Sequence, residues 1–429
     1  MLSGFKMFDV IMDSIAVVQL ASPLLAFLSI LVFEVPRYVL STLIVAAVGV
    51  RQGVTPQETV RISVILPACN NGACLAATLR SLALQRANIV DIIVVNEGST
   101  DDTLAIAQDY QRAGAITHVL NHVVRTGKSA AINHAARFAR GDLLLILDVD
   151  TVLAERDSLG MLAAAFNDPA VAAASGNLMV RNQDQSLWTS LQSIEYLSSI
   201  TAGRSFLDQL DSIACCSGAF SMYRRAVFLS VGGMNVGPGE DLEITLRLRA
   251  LGYRVRFIAD AVALTTVPTH FAGLVRQRLR WDRDALCTRI FMYRQAFKTS
   301  YREGLGDTLQ RLDFLLFEFF PSLFFPFYII YVVAYFGTDA PAFFLGLYLY
   351  LLGLYTLNLA LIVVSTKARL TWFEGVILFA VALYQGVVMR FVRFYAFVTE
   401  IFFNRSRDDD FVPLRVRNAL YGRARHAAS

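Results

Sequence analysis

Two kinds of apolar pattern divide the chain. Between about residues 60 and 270 apolar residues come in short runs, each closed by small or acidic residues and followed by helical spacing. Outside that region the apolar runs are long and unbroken. The short runs read as strands buried on both faces, as in a parallel sheet: Arg61–Pro67, Asp91–Val95, Ile116–Asn121 and Leu143–Leu147. Helices are expected over about Ala73–Gln85 and over Lys128–Arg140, the latter entered through Thr126-Gly127. Asn96–Asp102 supplies a glycine for a tight turn and Ser, Thr and Asp to cap a further helix. Strands alternating with helices at this spacing predict an α/β, Rossmann-like, mostly parallel sheet. No Gly-x-Gly-x-x-Gly follows the first strand, which argues against a dinucleotide cofactor.

Farther on, Cys215–Tyr223 carries Gly218 among small residues and reads as a strand against which a ligand or another backbone packs closely. Glu240-Asp241 precedes Leu242–Leu251 at helical spacing, and an acidic pair at a helix start suits the macrodipole. Gln277-Arg278-Leu279-Arg280-Trp281 falls on a helix with a strongly basic face, which suits a membrane interface.

The long runs are Ser14–Phe33, Tyr38–Val50, Phe314–Phe336, Pro341–Val364 and Trp372–Met389. Ser14–Phe33 is uncharged and long enough to span a bilayer. A cleaved signal peptide fits less well, because the preceding region is not basic and another apolar run follows at once. The expected organisation is one or more N-terminal membrane segments over 1–55 and a cytoplasmic domain over 56–270. Interfacial amphipathic helices over 271–312, C-terminal transmembrane helices over 313–403 and a basic tail over 404–429 follow. The parity of crossings stays open. Lys367 and Arg369, and Arg405, Arg407, Arg415 and Arg417, would both be cytoplasmic by the positive-inside rule, yet one apolar run separates the two groups. Either one apolar segment lies in the interface, or Trp372–Phe403 crosses in an unusual way around Arg390 and Arg393.

Composition supports this division. The chain of 429 residues is 55% hydrophobic and 17% charged, with a mean hydropathy of +0.49, too apolar for an ordinary soluble enzyme. The net charge of +4 is small and the basic residues flank apolar runs, so anionic head groups are better neighbours than nucleic acid. The five cysteines (Cys69, Cys74, Cys215, Cys216, Cys287) are odd in number and lack paired Cys-x-x-Cys spacing. That pattern suits a reduced cytosolic domain rather than a disulfide scaffold or zinc site.

The candidate chemistry gathers at strand ends, where open α/β folds place their ligands. Leu143–Leu147 leads to Asp148 and Asp150, and strand geometry points positions i and i+2 to one side. Two carboxylates so placed suit a hard cation, Mg²⁺ or Mn²⁺, shared with substrate phosphates. Glu97 at the neighbouring strand end could accept hydrogen bonds from a base or ribose. Lys128, opening a helix, suits a phosphate.

These pieces, in this order, resemble the membrane-embedded processive glycosyltransferases of family 2, the group of cellulose, hyaluronan, poly-N-acetylglucosamine and rhizobial chitooligosaccharide synthases. The resemblance rests on Asn96-Glu97-Gly98-Ser99, Asp148-Val149-Asp150, Glu240-Asp241 and Gln277–Trp281, and covers about residues 60–285 plus the pattern of apolar runs. It implies a GT-A fold with flanking transmembrane helices. It also implies an inverting transfer from a UDP-sugar to a growing polysaccharide at a bacterial-type inner membrane, the product being passed through a channel of the enzyme's own, with a small accessory membrane subunit as a further partner. A non-processive transferase acting on a lipid-linked acceptor is the alternative. Carried across by position, Ala68 and Glu97 lie at the uracil and ribose, with Lys128 and Asp148 nearer the ribose and diphosphate. Asp148 and Asp150 hold the metal, and Asp241 is the general base. Gln277, Arg280 and Trp281 close over the acceptor end, joined in the acceptor region by Arg278, Ser217, Gly218 and Glu240. Two residues depart from the family pattern: Glu97 replaces an Asp, and Cys69 stands where an aromatic residue often follows Pro-Ala.

Overall fold

The computed structural model describes residues 39–48, 59–235, 239–293, 305–366 and 375–408, together with positions 10, 12, 13 and 35. The apolar run Ser14–Phe33, the turn residues Gly237 and Pro238, and Lys367, Arg369, Trp372, Arg415 and Arg417 lie outside the described residues.

One sheet of eight strands organises the domain: β1 (Ile62–Ala68), β2 (Ile89–Glu97), β3 (His118–His122), β4 (Leu143–Leu147), β5 (Thr151–Leu153), β6 (Val171–Val180), β7 (Phe220–Arg224) and β8 (Arg254–Thr265), in the order β3-β2-β1-β4-β7-β6-β8-β5. The first half, β3-β2-β1-β4, is parallel, as the buried aliphatic runs predict. The second half is mixed, because β7 runs antiparallel to both β4 and β6, and β5 antiparallel to β8. All five residues of β4 are buried, which is why an unbroken aliphatic run is required there.

The helices of the domain and its C-terminal part are α1 (Ser41–Val48), α2 (Gly72–Ala83), α3 (Thr103–Arg112), α4 (Lys128–Phe138), α5 (Ser158–Ala164), α6 (Leu187–Tyr196), α7 (Gly203–Gln209), α8 (Arg225–Ser230), α9 (Glu240–Ala250), α10 (Phe271–Leu286), α11 (Leu305–Asp313), α12 (Phe320–Phe336), α13 (Ala340–Thr366), α14 (Leu378–Leu383) and α15 (Met389–Phe403). Two apolar layers sandwich the sheet. Leu75, Leu79, Leu82 and Ala107 of α2 and α3 pack on one face. Ala131, Ile132, Ala135 and Ala136 of α4, with Ile244 and Leu248 of α9, pack on the other.

Three expectations need correction. Strand β4 ends at Leu147, so Asp148 and Asp150 lie in a turn, in which Thr151 N donates to Asp148 O at 3.0 Å; strand alternation does not aim them. Residues 215–219 arrive as a loop, and of the expected Cys215–Tyr223 strand only the part from Phe220 onward pairs with the sheet, as β7. The fifth long apolar run does not stop at Met389: helix continues through Arg390 and Arg393 to Phe403. Arg393 is carried there by an ion pair with Asp282 of α10 at 3.1 Å.

Among the described residues one helical run, Gly306–Ser365, is long and apolar enough to cross a membrane. Only 22% of its most apolar window is buried, so it is no core helix, and Phe324, Phe327, Ile330 and Tyr335 face outward.

Candidate active site

The carboxyl ends of β1, β2 and β4 meet on one edge. Ala68, the last residue of β1, pairs with Asn96 of β2 and is buried. The next residue along β2, Glu97, is only 3% exposed, and its carboxylate is engaged from within. It accepts from Gly127 N at 2.7 Å and from the Thr126 hydroxyl at 2.9 Å, and lies 2.8 Å from His122 Nδ1. Gly98 turns the chain at φ +63°, and a Cβ there would stand 2.9 Å from Arg125 N. The 122–127 loop therefore presses directly on the turn after β2.

Lys128, the first residue of α4, reaches across this edge. Its Nζ donates to Asp148 Oδ1 at 2.5 Å and to Gly218 O at 3.1 Å. Burial works against its charge, but Asp148, Glu240 and Asp241 outweigh burial and raise its pKa. Asp150 lacks such a close cation. Burial, reinforced by Asp148, pushes its carboxyl up to about 6, against the pull of Lys128. Negative charge thus exceeds local positive charge at the Asp148–Asp150 turn, the condition a divalent cation relieves. No cluster of three or more His, Cys, Asp or Glu suited to a metal exists among the described residues. The two carboxylates are hard oxygen donors that fit Mg²⁺ or Mn²⁺ provided substrate phosphates complete the shell.

Asp241 reaches the same glycine from α9. Its Oδ2 accepts from Gly218 N at 3.0 Å and its Oδ1 from Leu242 N at 2.8 Å, as a carboxylate in the first turn of α9 should. Gly218 is therefore a bridge, with its N–H on Asp241 and its carbonyl under Lys128. The loop carrying it is sewn in place by Cys216 N to Thr245 Oγ1 at 2.9 Å, Thr245 Oγ1 to Asp241 O at 2.6 Å, and Ser217 N to Ser175 Oγ at 3.1 Å. Glu240 is held above the ordinary carboxylate range by burial and by Asp241, against Lys128 and Arg280. A Cβ on Gly218 would meet Asp241 Oδ2 at 3.3 Å and Lys128 Nζ at 3.4 Å. Gly218→Ala must then displace one of them by a few tenths of an ångström, and turnover should fall about five- to tenfold with the fold intact. Steady-state kinetics beside a thermal melt checks this; an unchanged rate removes Gly218 from the site.

The Gln277–Trp281 segment lies on α10. Arg278 is buried, with its guanidinium carbon 4.4 Å from the centre of the Trp281 ring, a cation–π distance. Its counterion is Glu195 of α6, at 2.9 Å. The same Glu195 Oε2 accepts from Tyr384 Oη at 2.6 Å, so α10, α6 and the 375–403 helical segment meet at one carboxylate. Gln277 Oε1 is buried without a hydrogen-bond partner, while Trp281 keeps 38% of its surface exposed.

Residues 63–232 match the Glycosyl transferase family 2. These residues form a family 2 glycosyltransferase domain. An N-acetylglucosaminyltransferase of Rhizobium sp. (strain N33) is 33% identical over 236 residues, 52% of this chain and 52% of that protein. The poly-beta-1,6-N-acetyl-D-glucosamine synthase of Staphylococcus epidermidis is 28% identical over 226 residues, 52% of this chain and 54% of that protein. The chain thus spans about half the length of these curated relatives. The mannosyltransferase PcManGT from Pyrobaculum calidifontis, solved with GDP-Man and Mn2+, shares the fold: TM-score 0.54 and 19% identity, over 88% of this chain and 99% of that one.

Lys128, Asp148, Gly218 and Asp241 form one hydrogen-bonded series, and Asp150 and Glu240 adjoin it in sequence and by charge. Arg278 and Trp281 form a second group. Sequence reasoning missed Glu195 and Tyr384, which hold that second group. It also missed Ser175, whose hydroxyl receives both Ser217 N and Arg204, and His122 and His134 beside Glu97. None of these falls in a recognisable motif; the contacts just named join positions 12 to 189 apart in the chain.

Proposed function

We propose that this protein is an inverting β-glycosyltransferase that adds sugars from a UDP-sugar to a growing polysaccharide at a membrane. The observation that carries the reading is the Gly218 bridge, which gathers a carboxylate, Asp241, and the Lys128–Asp148 pair around one residue. A base and a cation held together in this way suit a displacement in which one takes the acceptor proton and the other faces the leaving phosphate. Asp241 takes the proton from the acceptor hydroxyl as its oxygen bonds to the anomeric carbon. The carbon–oxygen bond to the diphosphate breaks, and its electron pair leaves on the UDP. Lys128 and Arg280 stabilise the charge that grows there. A single displacement inverts the carbon, so an α-linked donor gives a β-linked product. A divalent cation held by Asp148 and Asp150 would supply further neutralisation of the diphosphate. Ala68 lines the nucleoside end, where the resemblance also puts Glu97.

N-acetylglucosamine is the first sugar to offer, given the names of the relatives. The membrane location is supported by the outward-facing apolar run Gly306–Ser365, which needs a non-aqueous neighbour. Processive synthesis is supported by Trp281, which offers a flat face for a sugar ring and is held by Arg278 and Glu195. Membranes containing the protein should therefore convert UDP-N-acetylglucosamine to polymer. Trp281→Ala should leave the base intact yet lose the growing chain, giving very short products or slow donor hydrolysis, read by size separation of the products. Full-length polymer from Trp281→Ala would leave the segment a purely structural role. A single addition to a lipid-linked acceptor by the unaltered protein would support the non-processive alternative.

A further inference from the structure

Glu97 is one methylene longer than the Asp usual in the family pattern, and the structure uses that reach inside the protein. The carboxylate spans from the end of β2 to the 122–127 loop, meeting His122, Thr126 and Gly127 together. Gly127, at φ +95°, immediately precedes Lys128. Behind His122, its Nε2 lies 2.9 Å from His134 Nδ1, and the two rings stack at 5.1 Å. Because a carboxylate only accepts, the hydrogen-bond network assigns a proton to His122 Nδ1, and a single proton bridges His122 Nε2 and His134 Nδ1. Burial, with help from His122 and Arg137, lowers the His134 pKa, in keeping with a neutral ring. Doubly charged rings would set two N–H groups against each other at this contact.

We propose that Glu97, braced by His122 and His134, is a positioning residue: it fixes the 122–127 loop and so aims Lys128 at the leaving diphosphate, rather than acting by reading the base. The proposal rests on the reading of Lys128 given above. It yields a kinetic signature different from that of a nucleoside contact. A lost base contact is uniform binding and raises KM alone, whereas a mis-aimed Lys128 loses charge stabilisation that matters most in the transition state and lowers kcat.

The test is steady-state kinetics with UDP-N-acetylglucosamine on Glu97→Asp, His122→Phe and Thr126→Val, each with a thermal melt. Asp is one methylene too short to reach Gly127 N and Thr126 together, so Glu97→Asp should lower kcat by about tenfold or more while KM stays within about twofold. His122→Phe and Thr126→Val should shift kcat in the same direction, and Thr126→Val remains informative if the bulkier change does not fold. Combined with Lys128→Met, each should add little, because the shared route is already cut. Glu97→Asp at the unaltered rate, a rise in KM alone, or full additivity with Lys128→Met would overturn the proposal. A second measurement needs no turnover: in protein labelled with ¹⁵N-histidine, the proton between His134 Nδ1 and His122 Nε2 should couple to both nitrogens, and Glu97→Ala should abolish that coupling. Absence of the coupling from the unaltered protein also overturns the proposal. If no UDP-sugar is turned over, the functional reading fails while the labelled protein still decides whether the network exists.

Discussion

Asp241→Asn is expected to cut glycosyl transfer by about 10²-fold or more, the range typical of losing a positioned base. The amide keeps the size of the side chain, and its oxygen can still accept from Gly218 N, the contact made at 3.0 Å by Oδ2. What it loses is the capacity to take a proton. Donor binding should survive, because the groups assigned to the diphosphate, Lys128 and the Asp148–Asp150 turn, are untouched. The comparison is therefore initial rate against UDP affinity measured on the same preparation. Polymer made by Asp241→Asn at the unaltered rate would transfer the base to Glu240 or Glu243. Of these, Glu243 is the weaker candidate, since it is buried and ion-paired with Arg247 at 2.8 Å.

The second large effect is expected at Asp150. Its carboxyl is pushed up to about 6 by burial and by Asp148, so the protein alone holds it in an electrostatically unfavourable place. Asp150→Asn should abolish turnover, because an amide is a poorer ligand for a hard cation than a carboxylate. The same change should raise the melting temperature of the metal-free protein, since it removes a charge that the empty protein does not balance. A chelator should silence the unaltered enzyme reversibly, with activity restored by Mn²⁺ or Mg²⁺. Full activity in excess chelator would take the metal out of the reaction, and a lower melting temperature for Asp150→Asn would show that the carboxylate stabilises the fold.

Legibility differed between the two halves of the sheet for a physical reason. Strands β1, β2 and β4 are covered on both faces and read as aliphatic runs; Leu143–Leu147 is visible for that reason. Strand β6, Val171–Val180, is almost wholly buried too, but alanine, serine, glycine and asparagine fill most of it. Phe220 of β7 packs so close that a Cβ on Gly176 would fall 2.0 Å from its ring. A strand made of small residues lacks the hydrophobic signal that periodicity detects. Strand β8 carries arginines and Asp260 among its apolar residues, and Arg256 is neutralised by Asp208 of α7 at 2.8 Å. Within the site, acids and basic residues in short motifs could be read directly. His122 and His134 could not, because their meeting depends on how β3 and α4 are laid side by side. The aim of Asp148 and Asp150 was anticipated from strand alternation and is instead set by a turn, which a two-residue spacing cannot distinguish.

One oxygen of Glu195 serves both Arg278 and Tyr384, and Asp282–Arg393 and Arg283–Thr399 repeat the tie a few residues along α10. Helix α10 and the 375–403 segment are thus riveted at three points, like two plates of one frame. Sliding one past the other would part Arg393 from Asp282, a partly buried pair, and break the Arg283–Thr399 contact with it. On the processive reading proposed above, a saccharide advancing by one unit would travel over a Trp281 that this frame keeps stationary.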